Sequence, residues 1–228
     1  MKKFINYWLL PALLSCIFCL ESHAQIHVGV RGGINFADLG PHNVLSFSHI
    51  VRPNFALLLN VPVSPVFSLQ IEPGFSQRGG KFDESWEGFL NGVLIKTEES
   101  GRISSNYIEL PLLFQYRPTF GKFEGIVSIG PELRYRVGAT RLKEISRFFQ
   151  DGVLVTDRSG ETDLSAVNNY KDFDYGLTGG GGIAYPMPNL KIFTEARYHL
   201  GLGKIYRNGV DVYNRGVSVH LGVLVPIP

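Results

Sequence analysis

The feature that most constrains this chain is a repeated alternation of apolar and polar residues after the first two dozen positions. Successive side chains of a β-strand point to opposite faces, so each alternating segment predicts a strand with one apolar and one polar face. The segments are about ten residues or more long, which is the length of a strand that crosses a membrane. The connectors between them go long, short, long, short. This combination is typical of a transmembrane β-barrel.

Eight such segments are present, and all three short connectors contain proline and follow the second, fourth and sixth of them. Longer connectors follow the odd-numbered segments, so all long loops would lie at one end of a barrel. We therefore expect an all-β fold, an eight-stranded antiparallel up-and-down transmembrane β-barrel. The expected strands cover about 26–36, 52–61, 66–78, 107–117, 123–137, 170–185, 190–200 and 217–225.

The first residues have the pattern of a secretory signal. Lys2 and Lys3 precede an apolar stretch, and Ser22-His23-Ala24 supplies small residues at the cleavage positions. Residues 1–24 are expected to be a cleaved signal peptide, and residues 25–228 the barrel domain.

Both cysteines, Cys16 and Cys19, fall inside this signal. The mature chain would therefore have no disulfide and no cysteine-ligated metal. Cleavage with lipidation at Cys16 is the alternative to cleavage after Ala24. The chain has 22 basic and 20 acidic residues, and this balance gives no argument for nucleic acid as a partner.

The charged side chains decide between a membrane barrel and a soluble, lipocalin-like one. A soluble barrel fills its interior with apolar side chains and points its charges to water. Here one face of the strands is nearly continuous Val, Ile, Leu, Phe and Tyr, whereas the other carries Glu and Arg. Lysine or arginine facing lipid costs roughly 2–4 kcal/mol at the midplane, so the charges are expected to point inward. With the secretory signal, this predicts an integral outer-membrane protein.

An eight-stranded barrel has an interior just wide enough for side chains to fill. We expect a lumen closed by structural acid–base pairs, because a buried charge must be paired. The residues expected to form this network are Glu72, Glu109, Glu132, Arg134, Arg136, Glu195 and Arg197.

No catalytic, cofactor or metal site is expected, and the chain is not predicted to be an enzyme. Ser218 and His220 share a strand face, with Glu195 or Arg197 on a neighbouring strand, but no oxyanion donor is identifiable. The glycine run at 179–182 is not followed by Lys-Ser or Lys-Thr, so it is not a phosphate-binding loop. The histidines have no metal-ligand spacing.

Three segments resemble the PorT-like outer-membrane β-barrel family. Residues 29–35 are similar to its G-x-x-x-G-x-N strand, residues 67–80 to its L-Q-x-E-x-x-x-S-x-x-G hairpin, and residues 107–113 to its Y-x-E-x-P-L-L strand. Residues 130–133 and 173–176 fit weaker blocks. The resemblance implies an eight-stranded outer-membrane barrel and no particular activity, and its name-giving member is linked to a secretion and maturation system.

The expected partners are outer-membrane lipid and the barrel-assembly machinery, with other envelope proteins meeting the loops at 79–105 and 139–169. The expected role is structural or interactive, through a plugged polar lumen and external loops. The alternative is an accessory subunit of an envelope secretion machine. A lipid-modifying outer-membrane enzyme and a small-solute pore are two further classes that the sequence leaves open.

Overall fold

A computed structural model describes residues 25–40, 47–167, 170–207 and 211–227. The expected signal peptide at 1–24, with both cysteines, lies outside the described residues. Within them, no helix is long and apolar enough to cross a membrane. The helical content described is one short 3-10 turn, Leu164–Val167.

The described chain forms twelve β-strands. They are β1 His27–Gly40, β2 Phe47–Ser48, β3 Ile50–Pro62, β4 Phe67–Ile71, β5 Gly74–Leu90, β6 Val93–Tyr116, β7 Thr119–Phe120, β8 Phe123–Gln150, β9 Val153–Asp163, β10 Phe173–Met187, β11 Leu190–Gly201 and β12 Tyr213–Pro226.

The strands close into an antiparallel ring of eight walls. Around the ring, β1 pairs with β3, which pairs with both β4 and β5; these pair with β6, and β6 pairs with β8. The ring continues through β10, β11 and β12, which pairs with β1. The strands β4 and β5 together form one wall, interrupted at Glu72-Pro73. The eight-stranded barrel predicted from the alternation is confirmed.

Most of the two long connectors predicted at 79–105 and 139–169 is strand and not loop, and this includes the hairpin extension that the sequence allows at 89–97. Strand β5 runs on to Leu90 and β6 starts at Val93, so their hairpin rises far beyond the barrel wall. Strand β8 runs on to Gln150 and pairs with β9. Because β6 also pairs with β8 up to Ile95–Gln150, these four strands form a continuous external sheet.

The outward face of the ring is apolar and suited to lipid. On β12 it presents Val217, Val219, Leu221, Val223 and Val225, and the first charged outward residue, Arg215, lies beyond Val217 towards the external side. Aromatic side chains cluster at the short-turn end, where the Phe123 and Tyr185 rings lie 5.6 Å apart. Such girdles mark the membrane interface in outer-membrane barrels.

The inward face carries a central polar layer with an apolar cluster on each side of it. A buried apolar cluster fills the lumen towards the short-turn end, and a second one closes the long-loop end. The first cluster consists of Leu58, Ile126, Ala184, Phe193 and Leu224. The second consists of Leu39, Phe47, Ile103, Tyr170, Ile205 and Val212. The polar layer between these two clusters contains most of the buried charges, and a further buried pair, Arg117 and Glu124, lies between the first cluster and the short turns.

Candidate functional site

Glu72 is the centre of the first group of buried charges. It follows β4 at the break before Pro73, and its carboxylate is fully buried. Arg31 donates to its Oε2 atom at 2.8 Å, and Arg197 donates to Oε2 and Oε1 at 2.6 and 2.7 Å. Gln70 donates to the same carboxylate. The group therefore joins strand β1, the β4–β5 wall and strand β11.

Arg78 is the centre of the second group. Its Nη2 atom donates to Glu109 at 3.1 Å and to Glu132 at 2.8 Å. All three side chains are buried, and they come from three adjacent walls, β5, β6 and β8. His199 on β11, two walls from β8, lies 2.9 Å from Glu132.

Glu195 connects strand β11 to strand β8. Its Oε2 atom accepts a hydrogen bond from Arg197 at 2.6 Å, and its Oε1 atom accepts one from the Ser128 hydroxyl. The four glutamates of the predicted network thus all accept hydrogen bonds from buried arginines inside the lumen: Glu72, Glu109, Glu132 and Glu195.

Two arginines of the predicted network, Arg134 and Arg136, do not pair with its glutamates. Arg134 is fully buried beside Asp174, 3.4 Å from its Oδ2 atom, and its three guanidinium nitrogens have no hydrogen-bond partner among the described residues. Arg136 is only partly buried, and it donates to Asp172, just before β10, and to the Gly138 carbonyl. Arg136 therefore lies at the external rim and makes none of the contacts of the central network.

Three charged residues that pair with members of the network are absent from the predicted set: Arg31, Arg78 and Asp174. Arg31 is two residues from Gly29 and Gly33, and Arg78 two residues from Ser76, on the polar sides of their predicted strands, so period-2 patterning already places both arginines on the lumen face. Asp174 lies in residues 173–176, a segment that resembles the PorT-like family but has no predicted place in the charge network. What patterning does not provide is which charges meet across the barrel.

Ser218, His199 and Glu132 form a hydrogen-bonded chain in the order found in catalytic triads. The Ser218 Oγ atom lies 2.7 Å from His199 Nε2, and His199 Nδ1 lies 2.9 Å from Glu132 Oε2. A neutral ring protonated at Nδ1 satisfies both bonds. A nucleophile must reach its substrate, however, and Ser218 is 0% exposed. His220, which the sequence placed with Ser218, has no part in this chain.

The external sheet ends in two neighbouring hairpin turns. Asn91-Gly92 and Asp151-Gly152 have positive φ angles of 52, 81, 47 and 79°, the conformation that type I′ hairpin turns require. The Asp151 backbone N–H donates to the Leu94 carbonyl at 2.8 Å, and its side chain accepts from the Leu94 N–H at 3.0 Å. These bonds tie the two turns together into one tip.

The tip exposes large apolar side chains on the side away from the membrane. Phe89 is 76% exposed and Val153 66% exposed. The other members are Trp86, Leu90, Leu154 and Val155. Behind the tip, Glu84 and Glu99 lie directly opposite each other on β5 and β6. We call these six apolar side chains, three on each of the edge strands β5 and β9, the tip patch.

Outside the membrane-spanning strands, two tyrosines lie in the cluster at the long-loop end. The Tyr170 and Tyr206 hydroxyls are 3.1 Å apart. Burial raises the pKa of both phenols above its ordinary value, so both should ionise only at unusually high pH. Within the described part of the chain, no group of three or more His, Cys, Asp or Glu side chains could hold a metal ion.

A family model described as outer membrane protein beta-barrel domain matches residues 21–207, most of the chain. The chain belongs to this family. Its members are integral to the outer membrane, and so is this barrel. The match ends before β12, which closes the ring in this outer-membrane barrel.

Solved structures similar to this outer-membrane barrel share little sequence with it. Neisserial surface protein A is 13% identical, with a TM-score of 0.43, and the match covers 89% of this chain and 97% of that one. A major outer membrane protein from Thermus thermophilus is 14% identical, with a TM-score of 0.44 and coverage of 90% and 100%. Ail of Yersinia pestis is 14% identical, with a TM-score of 0.32 and coverage of 89% and 99%. No curated protein matches the sequence.

Proposed function

We propose that this outer-membrane barrel is a closed, non-enzymatic anchor that presents its external sheet to a protein partner. The observation that carries the proposal is that the same barrel has a filled lumen and an external sheet with an apolar tip. The strands β5, β6 and β8 of the barrel wall stay paired into the external sheet, and this pairing would hold the tip patch at a fixed place above the membrane.

The closed lumen is supported by the two groups of buried charges and the two apolar clusters that flank them. Arg78 and Arg197 are each about 1% exposed, and Glu72 and Glu132 are 0% exposed. A path for solutes would have to cross these hydrogen-bonded pairs and both apolar clusters. This arrangement favours a plug over a small-solute pore.

The interaction role is supported by the composition of the tip. Large apolar side chains on the surface of a stable sheet mark interaction sites. The two turns hold these side chains in place through the bonds of Asp151, so a partner would meet a preformed surface.

A second candidate is the accessory subunit of an envelope secretion machine, which the PorT-like resemblance suggests. The two roles differ in stoichiometry. Crosslinking in cells, followed by isolation of the protein, should yield a stoichiometric membrane complex if it is a subunit of a machine. Recovery chiefly as a monomer, with a partner captured only through the tip, supports the anchor.

The test uses a tip variant and a matched control. Replacing Trp86 and Phe89 with serine should remove at least about nine-tenths of the crosslinked partner, because exposed aromatic anchors dominate interface energies. The control replaces the exposed Lys143 and Arg158 with serine, lower on the same sheet. Equal capture by wild type and the tip variant would contradict the interaction role.

A further inference from the structure

The lipid-facing wall formed by β11, β12 and β1 ends in a row of three side chains towards the external end. Phe36 lies directly opposite Val217, and Val217 lies directly opposite Tyr198. The nine residues from Val225 to Val217, eight steps along the strand, span about 20 Å along the barrel axis for strands tilted by roughly 40°. This is close to the height of the apolar band of an outer-membrane barrel, roughly 25 Å. The next outward row therefore lies at the level of the lipid headgroups.

That next row contains Arg215. It is the outward residue of β12 that follows Val217 towards the external side, and it lies opposite Asp38 and Leu200. Its side chain extends over Gly40: a Cβ atom on this glycine would be 3.3 Å from Cδ and 3.5 Å from Nε of Arg215. The guanidinium thus points away from the hydrocarbon, as basic side chains do at a membrane interface.

Arg215 forms one side of a groove of about 490 Å³ on this outward face. The other lining residues include Phe36, Tyr198 and Val217 on the membrane side and His49 on the external side. The His49 ring stands edge-on to Phe36, with the ring centroids 6.1 Å apart. The Nε atom of Arg215 is buried and has no hydrogen-bond partner in the described part of the chain.

We propose that this groove binds the phosphate headgroup of one lipid of the external leaflet. The guanidinium of Arg215 would hold the phosphate, for which its planar array of donors is well suited. The acyl chains would lie against Phe36, Val217 and Tyr198. Asp38 also lines the groove, and its Oδ1 atom accepts a hydrogen bond from the Leu39 N–H at 2.7 Å.

The position of the groove selects a lipid as the occupant. Its apolar side continues the lipid-facing band without a break, and its basic side lies at headgroup level. A soluble anion would use the basic side alone. A lipid would therefore gain affinity from its acyl chains, whereas a soluble phosphate ion would not.

The test is native mass spectrometry of the folded protein in non-ionic detergent, titrated with dioleoylphosphatidic acid. Wild type should bind one lipid saturably. Arg215→Gln should bind it about five- to tenfold more weakly, and Arg215→Lys should retain part of the affinity. Arg158→Gln, which removes an exposed arginine from β9, is the matched control and should bind as wild type does. Heat-shifted migration of each variant on an unboiled gel verifies that the barrel is folded.

Two further probes separate the lipid from a free anion. Dioleoylglycerol, which lacks the phosphate, should bind at least about fivefold more weakly than the phosphatidic acid. Millimolar inorganic phosphate should not displace the bound lipid. Displacement by inorganic phosphate, unchanged binding in folded Arg215→Gln, or an equal loss in Arg158→Gln would each overturn the proposal.

Discussion

Arg197 binds Glu72 across the full diameter of the barrel, with its Nη1 and Nη2 atoms 2.6 and 2.7 Å from the two carboxylate oxygens. Strand β11 and the β4–β5 wall are separated by three walls in either direction around the ring. This pair therefore joins opposite sides of the lumen, and it does so in a place sealed from solvent. It is the contact on which the closed-anchor account depends most.

Replacing Glu72 with Gln should destabilise the barrel strongly. The change leaves the buried guanidinium groups of Arg31 and Arg197 without their shared carboxylate, and removing one partner of a buried pair costs about 3–5 kcal/mol. The measurement is urea unfolding in detergent micelles, followed by the mobility shift on an unboiled gel.

The matched control for this variant is Glu161→Gln. Glu161 lies on the external sheet, 3.3 Å from Lys143, and both side chains are exposed. Its loss should change the free energy of unfolding by no more than about 0.5 kcal/mol. Equal stability of Glu72→Gln and wild type would show that the lumen pairs do not hold the barrel together.

Gly180→Ala should loosen the wall between β10 and β11. A Cβ atom at this position would lie 2.0 Å from the Ala196 carbonyl oxygen, so the two strands would have to separate. We expect a loss of about 1–3 kcal/mol in unfolding free energy, the usual cost of overpacking. Gly32→Ala is the control, because a Cβ atom there meets nothing within 4 Å. A larger effect for Gly32→Ala would contradict the pairing register of β10 with β11.

Tyr170 and Tyr206 should resist ionisation at high pH. Their pKa values are raised by burial, so the stability they contribute is fully present below the ordinary tyrosine pKa of about 10. It is lost as the pH rises through the folded-state pKa values. Absorbance of tyrosinate during an alkaline titration should show fewer late-ionising phenols in Tyr170→Phe than in wild type. Ordinary titration of every tyrosine in the folded protein would disprove the closed external cluster.

Asp151→Ala should free the tip without affecting the barrel. Alanine loses the side-chain bond to the Leu94 N–H and fits the positive φ angle of 47° less well than Asp does. Limited proteolysis should cut the turns of this variant several times faster than those of wild type, with unchanged heat-shifted migration. Asp151→Asn keeps a side-chain oxygen and tolerates positive φ, so it should be cut at the wild-type rate. Equal protection of Asp151→Ala would argue against a tied tip.

The number of barrel walls and the lumen face follow from the sequence because lipid enforces strict alternation. Strand β12 alternates Val217, Val219 and Leu221 with Ser218 and His220, and the structure puts the first set outward and the second inward. The signal is strong wherever one face of a strand meets hydrocarbon.

The dependence of alternation on lipid also explains why the sequence of the external sheet predicts loops. Above the membrane both faces of a strand meet water, so β5 carries Asp83, Glu84 and Glu87 on both sides and the period of two disappears. Turn chemistry was the remaining signal: Asn91-Gly92 and Asp151-Gly152 are both hairpin dipeptides.

The partners within the lumen could not be predicted because they depend on how the ring closes. Arg78 meets Glu109 and Glu132 on two neighbouring walls, and Glu72 meets Arg197 on the opposite one. These distances are set by the stagger of the strands, to which the irregularity between β6 and β8 near Ser104 contributes. Alternation gives the face of each residue but not its height in the lumen.

The most direct test of the closed barrel is the conductance of the purified, heat-shifted protein in planar lipid bilayers. The account predicts that wild type inserts without stepwise conductance above the bare bilayer, because the charge network of Arg78 and Arg197 and both apolar clusters fill the lumen. Reproducible conductance steps of uniform size, abolished by prior heat unfolding of the sample, would show an open lumen and contradict the account.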